Sequence, residues 1–482
     1  MATTNSTPKK QLILNAFAAM APSLFATGLW RHPRNNTTNY NTLKFWVDLA
    51  KLLDKANFHA LFIADVLGPY DVYKGPGNFD PVLASGAQFP SNDPLYLVPS
   101  MAAATENLGF GITASTTYDQ PYAHARRFST VDHLAEGRIA WNIVTSYLES
   151  AAKNFGLETQ VEHDERYRIA EEYMEVVYKL WEGSWRSDAA IRDTDTGTFA
   201  VAGRVRHINH KGKYFSVPGP HITEPSPQRT PFLFQAGTSA AGREFGAKHG
   251  EAVFVGGSSP EIIRKAVDDL RTTAKEKHGR DPYSLKILGG VTIIVDETDE
   301  KAQEKLAELR SWTEREGALA LFGGWTGYDL SIYGDDEDIR FTGQPAIQGM
   351  VNMLASTAAG LDGEKKEEKW TKSRIADYLL PNGLGPLVVG SPKTVVDELE
   401  RWVEVGDLDG FNLSHVVIPG SFEDIVQWVI PELQKRGIFR KEVEKRGATV
   451  RETFLGQSHL LDDHPGRKYR WDEGDQKQEK KA

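Results

Sequence analysis

The stretch 138-RIAWNIVTSYLESAAKNFGLETQVEHDERY-167 joins a predicted strand to the start of a predicted helix. Residues 141–145 form an apolar run that ends in amide and hydroxyl groups, which is typical of a buried strand with polar groups at its carboxyl end. Residues 163–167 are polar and begin a long helix. This arrangement indicates an α/β enzyme, in which the site lies at the carboxyl ends of the strands.

Short apolar runs of the same kind recur along the chain, and amphipathic segments separate them. The predicted strands are LILNAF (12–17), ALFIAD (60–65), GFGITAST (109–116), RIAWNIVT (138–145), FLFQAG (232–237), EAVFVGG (251–257), KILGGVTIIV (286–295) and FNLSHVVIP (411–419). Eight such strands with helices between them favour a (β/α)8 TIM barrel of the α/β class. A doubly wound open sheet is the alternative, because the number of strands cannot show whether the sheet closes.

Long connections follow the second, fourth and seventh predicted strands, at residues 66–92, 183–231 and 297–410. The second connection contains the hairpin-like HKGKYFSV. The third contains FGGWTGYDLSIYGDDED (322–338), interpreted as a loop, and helices near residues 347–360 and 375–380. Loops of this length are usually functional, and loops that follow barrel strands lie on the catalytic face. We therefore expect the insertions to select the substrate.

The composition predicts three parts of unequal size. Residues 1–10 are a polar tail expected to be disordered, residues 11–440 form a single barrel domain, and residues 441–482 form a charged C-terminal extension. A basic pair before the apolar run LILNAFAAMAPSLFA has the outline of a secretory signal. Asn15 and Pro22 interrupt that run, so we predict a first barrel strand there and a cytoplasmic protein.

Charge and cysteine content exclude several classes of function. The 482 residues include 56 Lys and Arg against 66 Asp and Glu, a formal net charge of −10, which argues against nucleic acids and anionic membranes as partners. The sequence has no cysteine, which excludes disulfides, thiolate metal sites and cysteine nucleophiles. The His207-x-x-His210 pair lacks an adjoining carboxylate set, and we predict no metal site.

Polar side chains stand at the ends of the second, third and fourth predicted strands. Asp65 ends ALFIAD, Thr116 lies among hydroxyls at the end of the third strand, and Asn142 lies within an apolar strand. Such groups can hydrogen bond to a planar heterocycle. Turn chemistry is the alternative for Asp65 and Thr116. For Asn142 it is an internal hydrogen bond, since a buried amide without a partner costs ~1–3 kcal/mol.

His163 and Tyr167 are four residues apart and therefore lie on one face of the predicted helix start. They offer an imidazole and a phenol to the same point. Asp164 and Glu165 suit the first helical turn electrostatically and need only a capping role. A solvated helix face is the alternative, since the pair lacks the HExxH pattern of a zinc site.

The segment FQAGTSAAGREFG (234–246) predicts a strand that turns directly into a helix. Gly237 permits close backbone approach, and Ser239 with the free N–H groups of the helix can bind an anion. The segment lacks GxGxxG and the P-loop lysine, so a phosphate monoester fits better than a dinucleotide or a nucleoside triphosphate. A plain helix cap is the alternative.

Several longer segments resemble a known family. They are ARRFSTVDHLAEGRIAWNIVTS (125–146), NFGL (154–157) with EHDERY (162–167), KLWEGSW (179–185), GKYFSVPGPH (212–221) with PSPQRTP (225–231), and QAGTSAAGR (235–243). Over residues 11–440 the sequence resembles the flavin-dependent two-component monooxygenases of the bacterial luciferase-like superfamily. Within it, the branch of nitrilotriacetate, EDTA and dibenzothiophene-sulfone monooxygenases is the most similar.

The resemblance implies a barrel that binds reduced FMN (FMNH2) noncovalently at the carboxyl ends of its strands. By position, the implied cofactor-binding residues are Asp65 and Thr116 along the isoalloxazine, Asn142 at its edge, His163, Tyr167 and Ser239 towards the ribityl phosphate, and Gly237, which gives the backbone room. The implied reaction is capture of O2 by FMNH2 as C4a-(hydro)peroxyflavin, followed by transfer of one oxygen to a small organic substrate.

His32 in GLWRHP matches a histidine that the family often places over the flavin near the reacting oxygen, which implies a catalytic role. A separate NAD(P)H:flavin reductase would supply FMNH2 by diffusion, and a homodimer or homotetramer is expected. A deazaflavin-dependent oxidoreductase of the same superfamily and a non-enzymatic flavin-binding protein are the alternatives. The sequence departs from the family pattern at Trp325, where some sulfone-oxidising relatives have a histidine. Because a bulky aromatic replaces a polar imidazole there, the resemblance leaves the substrate class open.

Overall fold

The computed structural model describes residues 10–339 and 369–472, and its parallel strands close into an eight-stranded barrel. The barrel strands are β1 (Ile13–Ala19), β2 (Ala60–Ala64), β3 (Gly109–Ser115), β4 (Ile139–Val144), β7 (Phe232–Gln235), β8 (Ala252–Val255), β9 (Lys286–Val295) and β11 (Gly410–Ser414); outside it lie β5 (His210–Lys211), β6 (Ser216–Val217) and β10 (Leu387–Gly390). Each barrel strand pairs in parallel with the next, and β11 pairs with β1. The predicted TIM barrel is confirmed, and the open sheet is excluded.

Aromatic rings fill the interior of the barrel towards its amino-terminal end, where alternate side chains of the strands point inwards. Phe62 meets Phe254 edge-on at 4.6 Å between ring centroids, and Phe232 meets Phe234 at 5.1 Å. A Cβ on Gly111 would lie 3.0 Å from the Phe62 ring, so the absence of a side chain makes room for these rings. Strands buried on both faces explain why the predicted runs are continuously apolar.

Helices connect the strands and cover the outside of the barrel. Between barrel strands lie Leu43–Lys55, Val98–Ala103, Pro121–Leu134, His163–Tyr178, Ala240–His249, Pro260–His278, Asp299–Ser311 and Pro392–Gly406; the shorter or inserted helices are Asp80–Ser85, Glu149–Asn154, Arg315–Thr326, Lys372–Leu379, Gly420–Asp424, Ile430–Lys435 and Val450–Leu455. Serine caps begin several of them: Ser239 accepts from the Gly242 N–H and Ser259 from the Ile262 N–H. None of the helices within the described ranges is long and apolar enough to span a membrane.

The three long connections contain the features predicted for them, with one correction. The hairpin is present, as β5 pairs antiparallel with β6. Residues 322–326, interpreted from sequence as loop, instead complete the helix Arg315–Thr326, whose residues 317–324 are all buried. Burial of this continuous apolar run stabilises the helix despite its glycines, and Gly327 ends it at a φ of 76°. The helix predicted near 375–380 is Lys372–Leu379, and the one near 347–360 lies outside the described residues.

The insertions share a hydrophobic core of their own, which we call the insertion core. It joins Tyr70 and Val82 from the insertion after β2, Leu148 from the segment after β4, and Phe322 and Leu379 from the insertion after β9. These residues pack together in a cluster separate from the aromatic interior of the barrel. The insertions therefore support one another over the carboxyl ends of the strands.

The helix Val450–Leu455 closes the opposite, amino-terminal end of the barrel. Phe454 packs against Phe232 at 4.8 Å between ring centroids, and the fully buried Arg451 forms an ion pair with Glu251 at 2.6 Å. The Arg451 guanidinium also donates to the Thr230 carbonyl at 2.8 Å. Part of the charged extension, as far as residue 472, thus contributes directly to the packing of the barrel.

Candidate functional site

A cavity of about 550 Å³ lies between the carboxyl ends of the barrel strands and the insertion core. On the barrel side it is lined by Asp65, Ser146, His163, Arg166, Tyr167, Gly237 and Ser239, and on the insertion side by Val66, Leu67, Tyr147, Leu148, Ala151 and Trp325. One side therefore carries polar and charged groups, and the other is mainly apolar. Another cavity, of about 560 Å³, opens at the amino-terminal end and contains none of the predicted site residues.

Five of the eight predicted site residues line this one cavity: Asp65, His163, Tyr167, Gly237 and Ser239. They come from the segments after three different strands, His163 and Tyr167 from a helix, and only closure of the barrel brings them together. Thr116, Asn142 and His32 are not part of the lining, although Asn142 lies within β4, directly below it.

The turn after β7 is tightly packed around glycine. A Cβ on Gly237 would lie 2.4 Å from the Gln235 amide nitrogen and 2.7 Å from the Gly242 Cα. The Ser239 hydroxyl accepts from the Gly242 N–H at 3.0 Å, which caps the helix Ala240–His249. Glycine is required by this close packing, and the start of the helix Ala240–His249 lies at the cavity lining. This geometry suits an anion.

Tyr167 and His163 lie next to the same turn. Their rings meet edge-on at 5.3 Å, and a Cβ on Gly242 would lie 2.7 Å from the Tyr167 hydroxyl. His163 is exposed and hydrogen bonds through Nδ1 to the Asp164 carboxylate at 2.7 Å. The phenol is therefore fixed against the capped turn, whereas the imidazole lies at the rim of the cavity.

Arg166 is a cavity residue that the sequence reasoning missed. Its side chain is buried, one terminal nitrogen donates to the Ser146 carbonyl, and its Nε has no hydrogen-bond partner. Burial lowers the pKa of this guanidinium. Arg166 lies three residues after His163, so the helical spacing that paired His163 with Tyr167 could also have found it. An unpartnered guanidinium N–H beside a capped helix start strengthens the case for an anion site.

The Asp65 carboxyl is a titratable group in the cavity with a strongly perturbed environment. Burial raises its pKa to about 7, and the nearby Asp93 adds to the rise, while the Val66 N–H opposes it by hydrogen bonding to the carboxylate. Near neutral pH this group exists both as acid and as carboxylate. It can therefore donate a hydrogen bond to a ring carbonyl or accept one from a ring N–H.

Asn142 is only half satisfied by the protein. Its Nδ2 donates to the Thr113 hydroxyl at 2.9 Å, but its buried Oδ1 has no partner. Thr116 differs, because its hydroxyl donates to the Val144 carbonyl at 3.3 Å, which is the kind of internal hydrogen bond that turn chemistry predicts. Asn142 thus keeps an acceptor for a ligand, and the ligand contact predicted for Thr116 has a competing explanation in the structure.

His32 lies away from the cavity lining. Its Nε2 is 3.1 and 3.2 Å from the two Glu308 carboxylate oxygens, and its Nδ1 accepts from the Arg34 N–H. The ring meets Trp312 edge-on at 5.5 Å. The catalytic role of His32 stays a prediction, because the structure gives the imidazole these partners and no contact with the cavity residues.

Comparisons with known proteins agree with the resemblance seen in the sequence. The family profile of the luciferase-like monooxygenases matches residues 24–409. The chain is 47% identical to a long-chain alkane monooxygenase of Geobacillus thermodenitrificans, over 96% of this chain and 98% of the relative. It is 45% identical to a dimethyl-sulfide monooxygenase of Hyphomicrobium sulfonivorans (96% and 94%) and 35% identical to a dibenzothiophene-sulfone monooxygenase of Rhodococcus erythropolis (92% and 97%).

Solved structures match over the same length. The DmoA structure from Hyphomicrobium sulfonivorans superposes with a TM-score of 0.89 at 44% identity, over 96% of both chains. A riboflavin lyase, RcaE, solved with modified FMN and riboflavin, gives a TM-score of 0.86 at 35% identity, over 96% of this chain and all of that one. Relatives that are monooxygenases favour an enzyme over the non-enzymatic alternative. The chain belongs to the family of luciferase-like monooxygenases, and it is an oxidoreductase.

Proposed function

We propose that this monooxygenase is the oxygenase of a two-component system, which takes FMNH2 from a separate NAD(P)H:flavin reductase and transfers one oxygen atom of O2 to a small organic substrate. The observation that carries the proposal is a single cavity with a serine-capped turn, a buried guanidinium whose Nε lacks a partner, and strand-end polar groups. A phosphate monoester attached to a planar heterocycle is a ligand with these complementary parts.

The residues present suit both parts of FMN, its phosphate and its ring. Ser239, the N–H groups that follow it and the Arg166 Nε would hold the phosphate, with Tyr167 beside them. Asp65 and the free Asn142 Oδ1 would hydrogen bond to the polar edge of the ring. Buried polar atoms that lack protein partners are costly unless a ligand or water satisfies them.

When bound, FMNH2 supplies the reaction with O2 from which one oxygen atom reaches the substrate. The protein's own contribution is to fix the ring, hold the substrate beside it and exclude water. The insertion core serves the last purpose, because its side chains cover the carboxyl ends of the strands. The reaction needs no protein nucleophile, in agreement with the absence of cysteine.

A small, uncharged and mainly apolar substrate is the class that the insertion side of the cavity favours. Its described lining includes Val66, Leu67, Leu148 and Ala151, with Trp325 in contact with Phe25 at 6.0 Å between ring centroids. A carboxylate substrate placed there would lose hydration without gaining a cationic partner from these residues. Relatives named for long-chain alkanes and dimethyl sulfide support an uncharged and apolar substrate. A homodimer or homotetramer and a cytoplasmic location stay part of the proposal.

Anaerobic titration with FMNH2 tests the proposal directly. We expect saturable binding with a Kd well below millimolar, and product formation when O2 and a substrate are added. A Kd no better than millimolar would contradict the proposed function. The same titration with a reduced deazaflavin distinguishes the alternative cofactor, which should bind more weakly than FMNH2.

A further inference from the structure

A chain of hydrogen bonds leads from the segment after β1 to the insertion side of the cavity. The Gln88 Nε2 donates to the Leu24 carbonyl at 2.9 Å, and the Tyr70 hydroxyl lies 3.2 Å from the Gln88 Oε1. The Tyr70 hydroxyl is also 2.8 Å from the Tyr147 hydroxyl, and Tyr147 lines the cavity. We call Leu24, Gln88, Tyr70 and Tyr147 the hydroxyl relay.

The buried end of the hydroxyl relay decides which group donates and which accepts in each of its hydrogen bonds. A backbone carbonyl can only accept, so the Gln88 amide must turn its NH2 group towards Leu24 and its oxygen towards Tyr70. The Tyr70 proton is then donated to Gln88. Between the two phenols, Tyr147 must therefore be the donor, and its oxygen keeps its lone pairs for the cavity.

Packing holds the middle of the relay in place. Tyr70 is 1% exposed, and a Cβ on Gly324 would lie 1.8 Å from its ring, so the ring rests directly on the helix Arg315–Thr326. Tyr147, in contrast, is 46% exposed as a residue and lines the cavity, while burial raises the pKa of its hydroxyl. The relay thus joins a rigid buried part to a residue of the cavity wall.

We propose that Tyr147 is a positioning residue whose phenol oxygen accepts a hydrogen bond from an O–H group in the cavity. Gln88 and Tyr70 make this oxygen an acceptor, because the hydrogen bond to Tyr70 occupies the proton of the Tyr147 hydroxyl. The inference rests on the proposed function and deepens it. The O–H group has two sources, the organic ligand or the oxygen-derived group on the bound flavin. In either case the acceptor holds the O–H group at a defined point of an otherwise apolar wall.

The variants Tyr147→Phe and Gln88→Leu test the relay at its two ends. Tyr147→Phe removes the acceptor, while Gln88→Leu leaves the Tyr70 proton without its acceptor and lets the phenols reverse. We expect each to lower the ratio of product to hydrogen peroxide by about 5- to 10-fold, the worth of one hydrogen bond. The double variant should be no worse than either single one, because both act on the same relay. FMNH2 affinity should not change.

Stopped-flow mixing of the FMNH2-loaded protein with O2 separates the two sources. If the flavin carries the O–H group, Tyr147→Phe shortens the lifetime of the oxygenated flavin even without substrate. If the organic ligand carries it, that lifetime is unchanged and KM rises. An unchanged lifetime together with an unchanged KM and product ratio would overturn the inference.

Tyr73→Phe is the matched control, since Tyr73 is buried in the insertion core but is outside the relay. Its product ratio should equal that of the wild type. A loss of equal size in Tyr73→Phe would show a packing effect and overturn the role assigned to Tyr147. Failure of the wild type to bind FMNH2 would instead contradict the proposed function, so the two failures are distinguishable.

Discussion

At the scale of single residues, the site depends on polar atoms that the folded chain leaves without partners. Arg166 Nε and Asn142 Oδ1 are buried and unpartnered, whereas Ser239 already uses its hydroxyl as a helix cap. A capping serine can still donate its own proton to a phosphate while it accepts from the backbone. The cap is therefore compatible with the proposed anion site, and the two interpretations left open by the sequence do not exclude one another.

Ser239→Ala should weaken FMN binding by about 1–2 kcal/mol, because one charge-assisted hydrogen bond to the phosphate is lost. Fluorescence titration of FMN measures the change in Kd. Ser259→Ala is the matched control, since Ser259 caps the next helix and does not line the cavity. Both variants should lose similar unfolding free energy, about 1 kcal/mol for a cap, but only Ser239→Ala should bind FMN more weakly. An equal Kd in both would place the phosphate elsewhere.

Asp65 gives the unfolding free energy a defined pH dependence. Its pKa is raised from 3.8 to about 7 in the folded protein, so the folded state prefers the protonated form. The stabilising contribution of that form is complete below the unfolded pKa and is lost as the pH rises through about 7, by up to roughly 4 kcal/mol. Asp65→Asn removes this loss.

Denaturant unfolding of the wild type and of Asp65→Asn from about pH 5 to about pH 8 measures the effect. The unfolding free energy of the variant relative to the wild type should increase over this range. A difference that is independent of pH would show that the carboxyl titrates normally.

At the scale of elements, the helix Val450–Leu455 illustrates how a charged extension can stabilise an apolar barrel. Arg451 is fully buried, yet Glu251 and backbone carbonyls satisfy its guanidinium. Glu251 in turn accepts from the Leu233 N–H of β7 at 3.1 Å. The ion pair thus connects the extension to the strand whose carboxyl end carries the capped turn at Ser239.

Arg451→Ala should lower the unfolding free energy by about 3–5 kcal/mol, because Glu251 would be left as a buried charge without its partner. Chemical denaturation measures the loss. Arg446→Ala is the control, because its pair with Glu106 is exposed and 3.7 Å long, and should cost less than about 1 kcal/mol. Similar losses in the two variants would show that the buried pair contributes no more than a surface pair.

At the scale of the whole molecule, the barrel and the insertion core contribute different groups to the cavity. The barrel strands supply the polar groups and the capped turn, and the insertions supply the apolar wall and the hydroxyl relay. Under the proposed function FMNH2 is formed by a separate reductase and reaches this cavity from outside. Its entry then depends on diffusion and on the cavity alone.

If FMNH2 arrives by diffusion, its source should not matter. Photoreduced FMN, added with O2 and a substrate, should give the same yield of product per FMNH2 as an added flavin reductase from any source. The measurement is product by chromatography against hydrogen peroxide released. Product formed only with one particular reductase would show that the two proteins must be in contact.

The sequence alone determined the positions of the barrel strands and the capped turn at Ser239. These follow from short-range rules, because an apolar run of strand length, a glycine at a tight turn and a serine cap are each encoded within a few residues. The prediction of a loop at 322–326 was wrong because the state of these residues depends on long-range contacts. Their helical state depends on burial against distant parts of the insertion core, which no local pattern shows.

Only the tertiary structure decided which polar groups share a cavity and what state they are in. Closure of the barrel brings Asp65 to the same cavity as Ser239, and burial raises the pKa of its carboxyl. The hydroxyl relay joins residues 24, 70, 88 and 147, and its polarity depends on one carbonyl that faces Gln88. Desolvation and hydrogen-bond direction arise from contacts between residues far apart in the chain. They exist only once the fold has formed.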